Sequence, residues 1–212
     1  MPRVDKITDT LLVVDLQNDF CPGGSLAVTG GDEIVPAVNA LARRFDVVVA
    51  TQDWHPAGHV SFASSHEGYE PFQVIELPGG AAQVLWPDHC VQGTAGAALH
   101  PELDLRPIRM VLRKGASPDV DSYSAFQDND RTSRTGLGGW LRELGVKRVF
   151  LVGLALDVCV SFSAIDAASE GFEAFVIRDG CRAVDLQGSL ARAEAEMAEQ
   201  AVTLLSLADL EG

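Results

Sequence analysis

Arg148-Val149-Phe150-Leu151-Val152-Gly153-Leu154-Ala155-Leu156-Asp157-Val158-Cys159-Val160 is the stretch that decides how this chain folds. Its first half is a continuous apolar run, the pattern of a strand buried on both faces. A glycine interrupts the run, and Asp157 then stands where a helix N-cap belongs. Over residues 158–170, Val158, Phe162, Ile165 and Ala168 return to one side, which predicts a helix. Cys159 therefore falls in the first turn, just beyond the carboxyl end of a central strand. A helix start lowers a thiol's pKa and aims free N–H groups at whatever the sulfur attacks. A lone cysteine is more often a small buried apolar side chain, so its meaning depends on what the rest of the chain brings beside it.

Working outward, residues 10–15 form a short apolar strand ending at Asp15, followed by a turn-rich loop over 17–24. Asp32 opens a helical pattern with Ile34, Val35, Val38, Leu41 and Ala42 on one face. Residues 46–52 read as a second strand ending at Asp53, and 109–114 as a third ending at Lys114 and Gly115. A helix is expected over 137–144, a strand over 173–178, a long Ala/Glu helix over 186–200 and a last strand over 201–205. Regular patterning stops between residues 54 and 106, apart from an extended piece near 72–77. A connection this long inside a domain is usually functional or disordered, and its aromatics and histidines oppose disorder. Alternating strands and helices with two-sided apolar strands predict an α/β fold, a mostly parallel sheet with helices on both faces. Right-handed crossovers put every strand's carboxyl end on one edge, where ligands bind. That edge collects Asp15, Asp53, Lys114 and Cys159.

The 212 residues suffice for a full core, and 47% are hydrophobic. A net charge of −14 opposes nucleic acid and anionic membrane as partners. Residues 1–9 are polar and 11–14 too short for a signal h-region, so no export signal and no membrane span are expected. The four cysteines, Cys21, Cys90, Cys159 and Cys181, are scattered without a CxxC, which suits a reduced, cytoplasmic protein.

Cysteine, aspartate and lysine at one edge suit acyl transfer: Cys159 as nucleophile, Asp15 to take and return a proton, Lys114 to balance charge. Taken singly, Asp15 reads as a loop cap and Lys114 as a solvated strand end; their joint placement favours catalysis. A second cluster is Asp53-Trp54-His55-Pro56-Ala57-Gly58-His59 with Trp86-Pro87-Asp88-His89. Carboxylate and imidazole at this spacing suit one divalent ion, with zinc placed before iron or manganese. His66 and His100 read as ordinary polar loop residues.

Asp15-Leu16-Gln17-Asn18-Asp19-Phe20-Cys21, Gln52-Asp53-Trp54-His55-Pro56, Trp86-Pro87-Asp88-His89-Cys90, Lys114-Gly115 and the stretch from Gly153 to Val160 together resemble the nicotinamidases of the isochorismatase-like cysteine hydrolases. The resemblance runs from the first strand to at least Arg178, with the motifs in family order. It implies a six-stranded parallel sheet of order 3-2-1-4-5-6, a single hydrolase domain over 1–212, and a metal- and substrate-binding loop at about 53–106. It implies a triad of Cys159, Asp15 and Lys114, and metal ligands Asp53, His55 and His89, with His59 a ligand in some relatives and not in others. A cis peptide at Leu154–Ala155 is implied, with the N–H groups of Ala155 and Cys159 forming an oxyanion hole. Phe20 and Trp86 resemble the walls that sandwich a pyridine ring; Leu154 and Tyr123 are further pocket candidates. Leu156 stands where many nicotinamidases carry a small polar residue, which bears on the pocket edge.

The implied activity is hydrolysis of nicotinamide to nicotinate and ammonia in NAD salvage, with pyrazinamide also accepted. Oligomeric state stays open, a homo-oligomer included. Rival readings are an amidase acting on a carbamoyl or ureido group, an isochorismatase-type vinyl-ether hydrolase, and a non-catalytic binding module. Asp53, His55 and His89 oppose the first, Cys159 the second, and the intact triad the third.

Overall fold

A computed structural model of the protein describes residues 3–210. In chain order its main elements are β1 (Asp9–Val14), α1 (Val35–Ala42), β2 (Val47–Asp53), β3 (Val74–Glu76), β4 (Ala82–Val84), β5 (Ile108–Lys114), α2 (Leu137–Glu143), β6 (Arg148–Leu154), α3 (Ser161–Ser169), β7 (Glu173–Arg182), α4 (Ser189–Glu199) and β8 (Thr203–Leu205). Six strands form one wholly parallel sheet in the order β5-β2-β1-β6-β7-β8. With the separate β3–β4 hairpin set aside, that is the expected order 3-2-1-4-5-6. The order reverses between β1 and β6, whose register pairs Val14 with Gly153. A crevice at the carboxyl ends of these two strands is therefore the place for a ligand.

The central strands β1, β2 and β6 are buried on both faces because each face has its own cover, whereas the edge strand β5 alternates half-buried and exposed residues up to the buried Lys114. Leu11, Val13, Phe150 and Val152 pack with Val35, Val38 and Leu41 of α1. Leu12, Val14, Val149 and Leu151 pack with Leu137 and Leu141 of α2, Ala164 of α3 and Met197 of α4. Between β2 and β5 no α-helix forms, only a single 3-10 turn at Ala63–Ser65. The irregular chain there joins the α1-side core through Trp86, Cys90, Ala97 and Leu103, and carries the hairpin.

Three local expectations are corrected. Asp157 does not cap a helix. Residues Leu156–Val160 form a π-helical turn, with the Val160 N–H reaching the Ala155 carbonyl at 3.1 Å, and α3 starts only at Ser161. The Asp157 carboxylate instead accepts the N–H groups of Val184 (3.0 Å) and Asp185 (2.8 Å), stitching this turn to the β7–α4 connection. The strand expected over 173–178 continues to Arg182, because Cys181 and Arg182 pair with Gly153 and Leu154 after a register shift.

Candidate active site

Asp15, the residue after β1, has φ 46°, a left-handed conformation uncommon outside glycine. Thr51 of β2 holds it there. The Asp15 N–H donates to Thr51 Oγ1 at 3.0 Å, and the Thr51 hydroxyl donates back to Asp15 Oδ1 at 2.6 Å. The remaining oxygen, Oδ2, faces Lys114 Nζ at 2.9 Å.

Lys114 ends β5 and is only 2% exposed. Its ammonium also reaches Asp53 Oδ1 (3.0 Å), the Ser122 carbonyl (2.9 Å) and Cys159 Sγ (3.4 Å). A buried lysine survives only when paired, and here two carboxylates flank it. Burial works against its charge, but Asp15 and Asp53 hold the ammonium well above the usual lysine range. Burial pushes the Asp15 carboxyl up, against the pull of Lys114. Burial also pushes the Cys159 thiol well up; Lys114 opposes this, while Asp15 and Asp53 add to it. The helix-start argument for a lowered thiol pKa is thus reversed. Cys159 is held as a thiol beside a carboxylate whose basicity burial has raised, an arrangement suited to proton transfer between them.

Across Lys114, Asp53 Oδ2 faces His55 Nε2 at 3.1 Å and His89 Nε2 at 3.5 Å. The other nitrogen of each ring meets a main-chain carbonyl: His55 Nδ1 that of Gly115 (2.9 Å), His89 Nδ1 that of Pro87 (2.8 Å). A carbonyl only accepts, so each Nδ1 carries a proton, and each Nε2 is the atom left to serve as a ligand beside the Asp53 carboxylate. One carboxylate and two oriented imidazoles, with ligand atoms within 4.8 Å of one another, fit a divalent ion. Gly115 is required for this seating: at φ 65°, a Cβ there would lie 2.5 Å from His55 Cε1.

His59, Asp121 and His55 form a second grouping with ligand atoms within 4.8 Å. With its Nδ1–H on Gly115, His55 has one lone pair, so the two groupings compete for it. His59 Nδ1 meets Ser61 Oγ at 2.7 Å and its Nε2 faces the Val120 carbonyl at 3.3 Å. Both nitrogens are engaged away from Asp53.

A cavity opens over Cys159 between Phe20, Trp86 and Tyr123, with Asp53, His89 and Asp121 as its acidic and imidazole groups. Ala155, Val158, Leu26 and Val184 complete the wall. The Leu154–Ala155 peptide is cis, as the resemblance implies. One pocket candidate, Leu154, and the departure at Leu156 lie elsewhere. The Leu154 side chain is fully buried in the core on the α1 side, and Leu156 packs in the core on the other face; neither lines the cavity. Thr51 and Asp121, which sequence reasoning passed over, sit inside a strand and an irregular loop, where no periodicity marks them. Their only sequence signal is adjacency to Asp53 and Tyr123.

The isochorismatase domain family matches residues 9–209. The nicotinamidase of Acinetobacter baylyi is 53% identical over 92% of this chain and 91% of its own, and that of Escherichia coli 50% identical over 95% and 96%. Among solved structures, the nicotinamidase/pyrazinamidase of Acinetobacter baumanii is 48% identical with a TM-score of 0.94, covering 96% of this chain and 98% of its own. An L. infantum protein solved in complex with nicotinate is 41% identical (TM-score 0.87, 99% and 98% covered). The Pyrococcus horikoshii pyrazinamidase in complex with zinc is 36% identical (TM-score 0.76, 94% and 99% covered). Fold, site and sequence agree: this chain belongs to the isochorismatase family, among its nicotinamidases.

Proposed function

We propose that this chain hydrolyses nicotinamide to nicotinate and ammonia, and accepts pyrazinamide, through a thioester on Cys159. The observation that carries the reading is the ammonium of Lys114, which lies at once on Asp15, Asp53 and Cys159 Sγ beneath the cavity. Asp15 takes the thiol proton and the sulfur attacks the carboxamide carbon. The N–H groups of Ala155 and Cys159 hold the oxyanion. Asp15 passes its proton to the departing nitrogen, the C–N bond breaks and ammonia leaves. Asp15 then accepts a proton from water as it attacks the thioester; nicotinate is released and the thiol re-forms. Lys114 keeps Asp15 charged and placed between these steps.

Asp53, His55 and His89 would hold one divalent ion, with zinc placed before iron and manganese. Such an ion supplies a Lewis-acidic position for the pyridine nitrogen. Phe20 and Trp86 hold the ring faces, so the carboxamide rests over Cys159. A cytoplasmic setting, with one catalytic unit over 1–212 in NAD salvage, fits the reading. It is supported by four buried free thiols and by the absence, among the described residues, of any helix long and apolar enough to cross a membrane. The partner is a small amide; nucleic acid and membrane are not part of the proposal.

The test is ammonia release from nicotinamide, pyrazinamide and a ureido control, with wild type beside Cys159→Ala. Turnover of the two pyridine-type amides, abolished in a folded Cys159→Ala variant, is expected. Retained turnover in that variant would end the covalent mechanism.

A further inference from the structure

We infer that Gln83 is a positioning residue for the aromatic wall of the pocket, and that its amide sets how tightly the substrate ring is held. The inference rests on the nicotinamidase reading and deepens it. The β3–β4 hairpin is exposed at Val74, Glu76 and Ala82, half-buried at Ile75 and Val84, and buried only at Gln83, which is 4% exposed. Short hairpins normally anchor through an apolar side chain. A buried amide in that position has to find partners, and Gln83 finds them on the pocket wall. Its Nε2 donates to the Val84 carbonyl (2.7 Å) and Asp121 Oδ2 (2.8 Å), and reaches Tyr123 Oη at 3.4 Å.

The Tyr123 hydroxyl has one proton and two lone pairs. The hydroxyl oxygen accepts the indole N–H of Trp86 at 3.1 Å, with Gln83 Nε2 beside it at 3.4 Å. The task of that hydroxyl is to fix the Trp86 indole, which also meets the rings of Phe72 and Tyr123 edge-on at 6.1 Å and 6.4 Å. Gln83 closes this circuit from a different segment of chain. It is also the cleanest place to break it. Asp121 accepts the Ser122 N–H, and Ser122 accepts from Lys114, so a change at Asp121 would reach the triad. Gln83 meets that chain only through Asp121, one step further from Lys114.

Gln83→Leu fills the space but withdraws the donors. KM for nicotinamide should rise about tenfold, the effect of leaving a buried acceptor short of a partner, with kcat within about twofold of wild type. Gln83→Glu sets a second carboxylate against Asp121. Its KM, relative to wild type at each pH, should be highest at alkaline pH and fall toward wild type on acidification, as a shared proton bridges the two groups. Tyr123→Phe should also raise KM, and adding Gln83→Leu to it should raise KM further by less than its effect alone. Wild-type KM in Gln83→Leu, or a loss confined to kcat, would overturn the inference. If that variant does not fold, unchanged KM in Tyr123→Phe, or a flat pH ratio in Gln83→Glu, overturns it equally. If the wild type itself releases no ammonia, the nicotinamidase reading fails instead. Trp86 emission in a Trp54→Phe/Trp140→Phe background then decides, since Gln83→Leu must shift it and an unchanged spectrum refutes the role.

Discussion

Lys114 is the residue on which both halves of the site turn, because the same ammonium compensates the proposed base and a proposed metal ligand. Replacing it by methionine would leave Asp15 and Asp53 buried without their cation. Breaking a buried pair in this way costs about 3–5 kcal/mol. Lys114→Met should therefore lose activity and also unfold at clearly lower denaturant concentration, measured by urea titration. Asp15→Asn keeps a similar shape and an oxygen for the Thr51 hydroxyl, so it should fold normally while kcat falls by several orders of magnitude. Near wild-type kcat would send the search for a base elsewhere. Cys159 alone among the four thiols lines the cavity, so iodoacetamide should modify it first and nicotinate should protect it. Because its pKa is raised, the rate should climb with pH through the alkaline range; a plateau below neutrality would contradict the environment described. Asp15, Lys114 and Cys159 were legible in the sequence because each ends a strand or follows one, and a parallel sheet brings such ends together. The thiol's pKa direction was not, because the helix-start signal is local, whereas Asp15 and Asp53 arrive from strands more than 100 residues away. Thr51 was hidden for a related reason: a β-branched residue in a strand looks ordinary until Asp15 is seen bent toward it.

At the level of elements, β1 and β6 run so close at their carboxyl ends that Gly153 admits no side chain. It has φ 124°, and a Cβ there would stand 2.1 Å from the Val14 carbonyl oxygen. The neighbour is backbone, which cannot swing aside, and the next residue is Asp15. Gly153→Ala should destabilise the protein by about 3 kcal/mol or more, combining a disfavoured φ with overpacking. It should also lower kcat in whatever fraction folds. An alanine variant matching wild type in both would show that the strands can separate freely. Such regular elements were readable because two-sided apolar strands and one-faced helices have distinct periods. The π turn at Leu156–Val160 was not, because one turn leaves no period to detect and Asp157 imitates a cap while bonding elsewhere. The hairpin was only half visible, as an extended piece near 72–77. Its exposed residues carry no alternation, and the one buried position is a polar Gln83.

Over the whole molecule, the connection from β2 to β5 stands where a helix would ordinarily cover the sheet, and it carries His55, Trp86 and His89 together. Asp53 at its root and Gly115 at its far end both touch His55, so a bound ion would tie both ends of this irregular segment to one centre. Two consequences separate a resident ion from an incidental one. Dialysis against a chelator should lower Tm, and zinc, ferrous iron or manganese should restore it. The gain follows mass action, about 2.7 kcal/mol at a hundredfold excess over Kd. The second consequence concerns the ring. Benzamide has the amide of nicotinamide and nearly its shape, but no ring nitrogen. If Asp53, His55 and His89 act through an ion that positions the ring, benzamide should show a far lower kcat/KM than nicotinamide on metal-loaded protein, and chelation should narrow the gap. Misplacement by about 1 Å can cost on the order of 100-fold in rate, so the difference expected is large. Equal kcat/KM for the two amides, alongside a Tm that still depends on metal, would make the centre a structural clamp on this connection and leave substrate placement to Phe20 and the Trp86–Tyr123 wall.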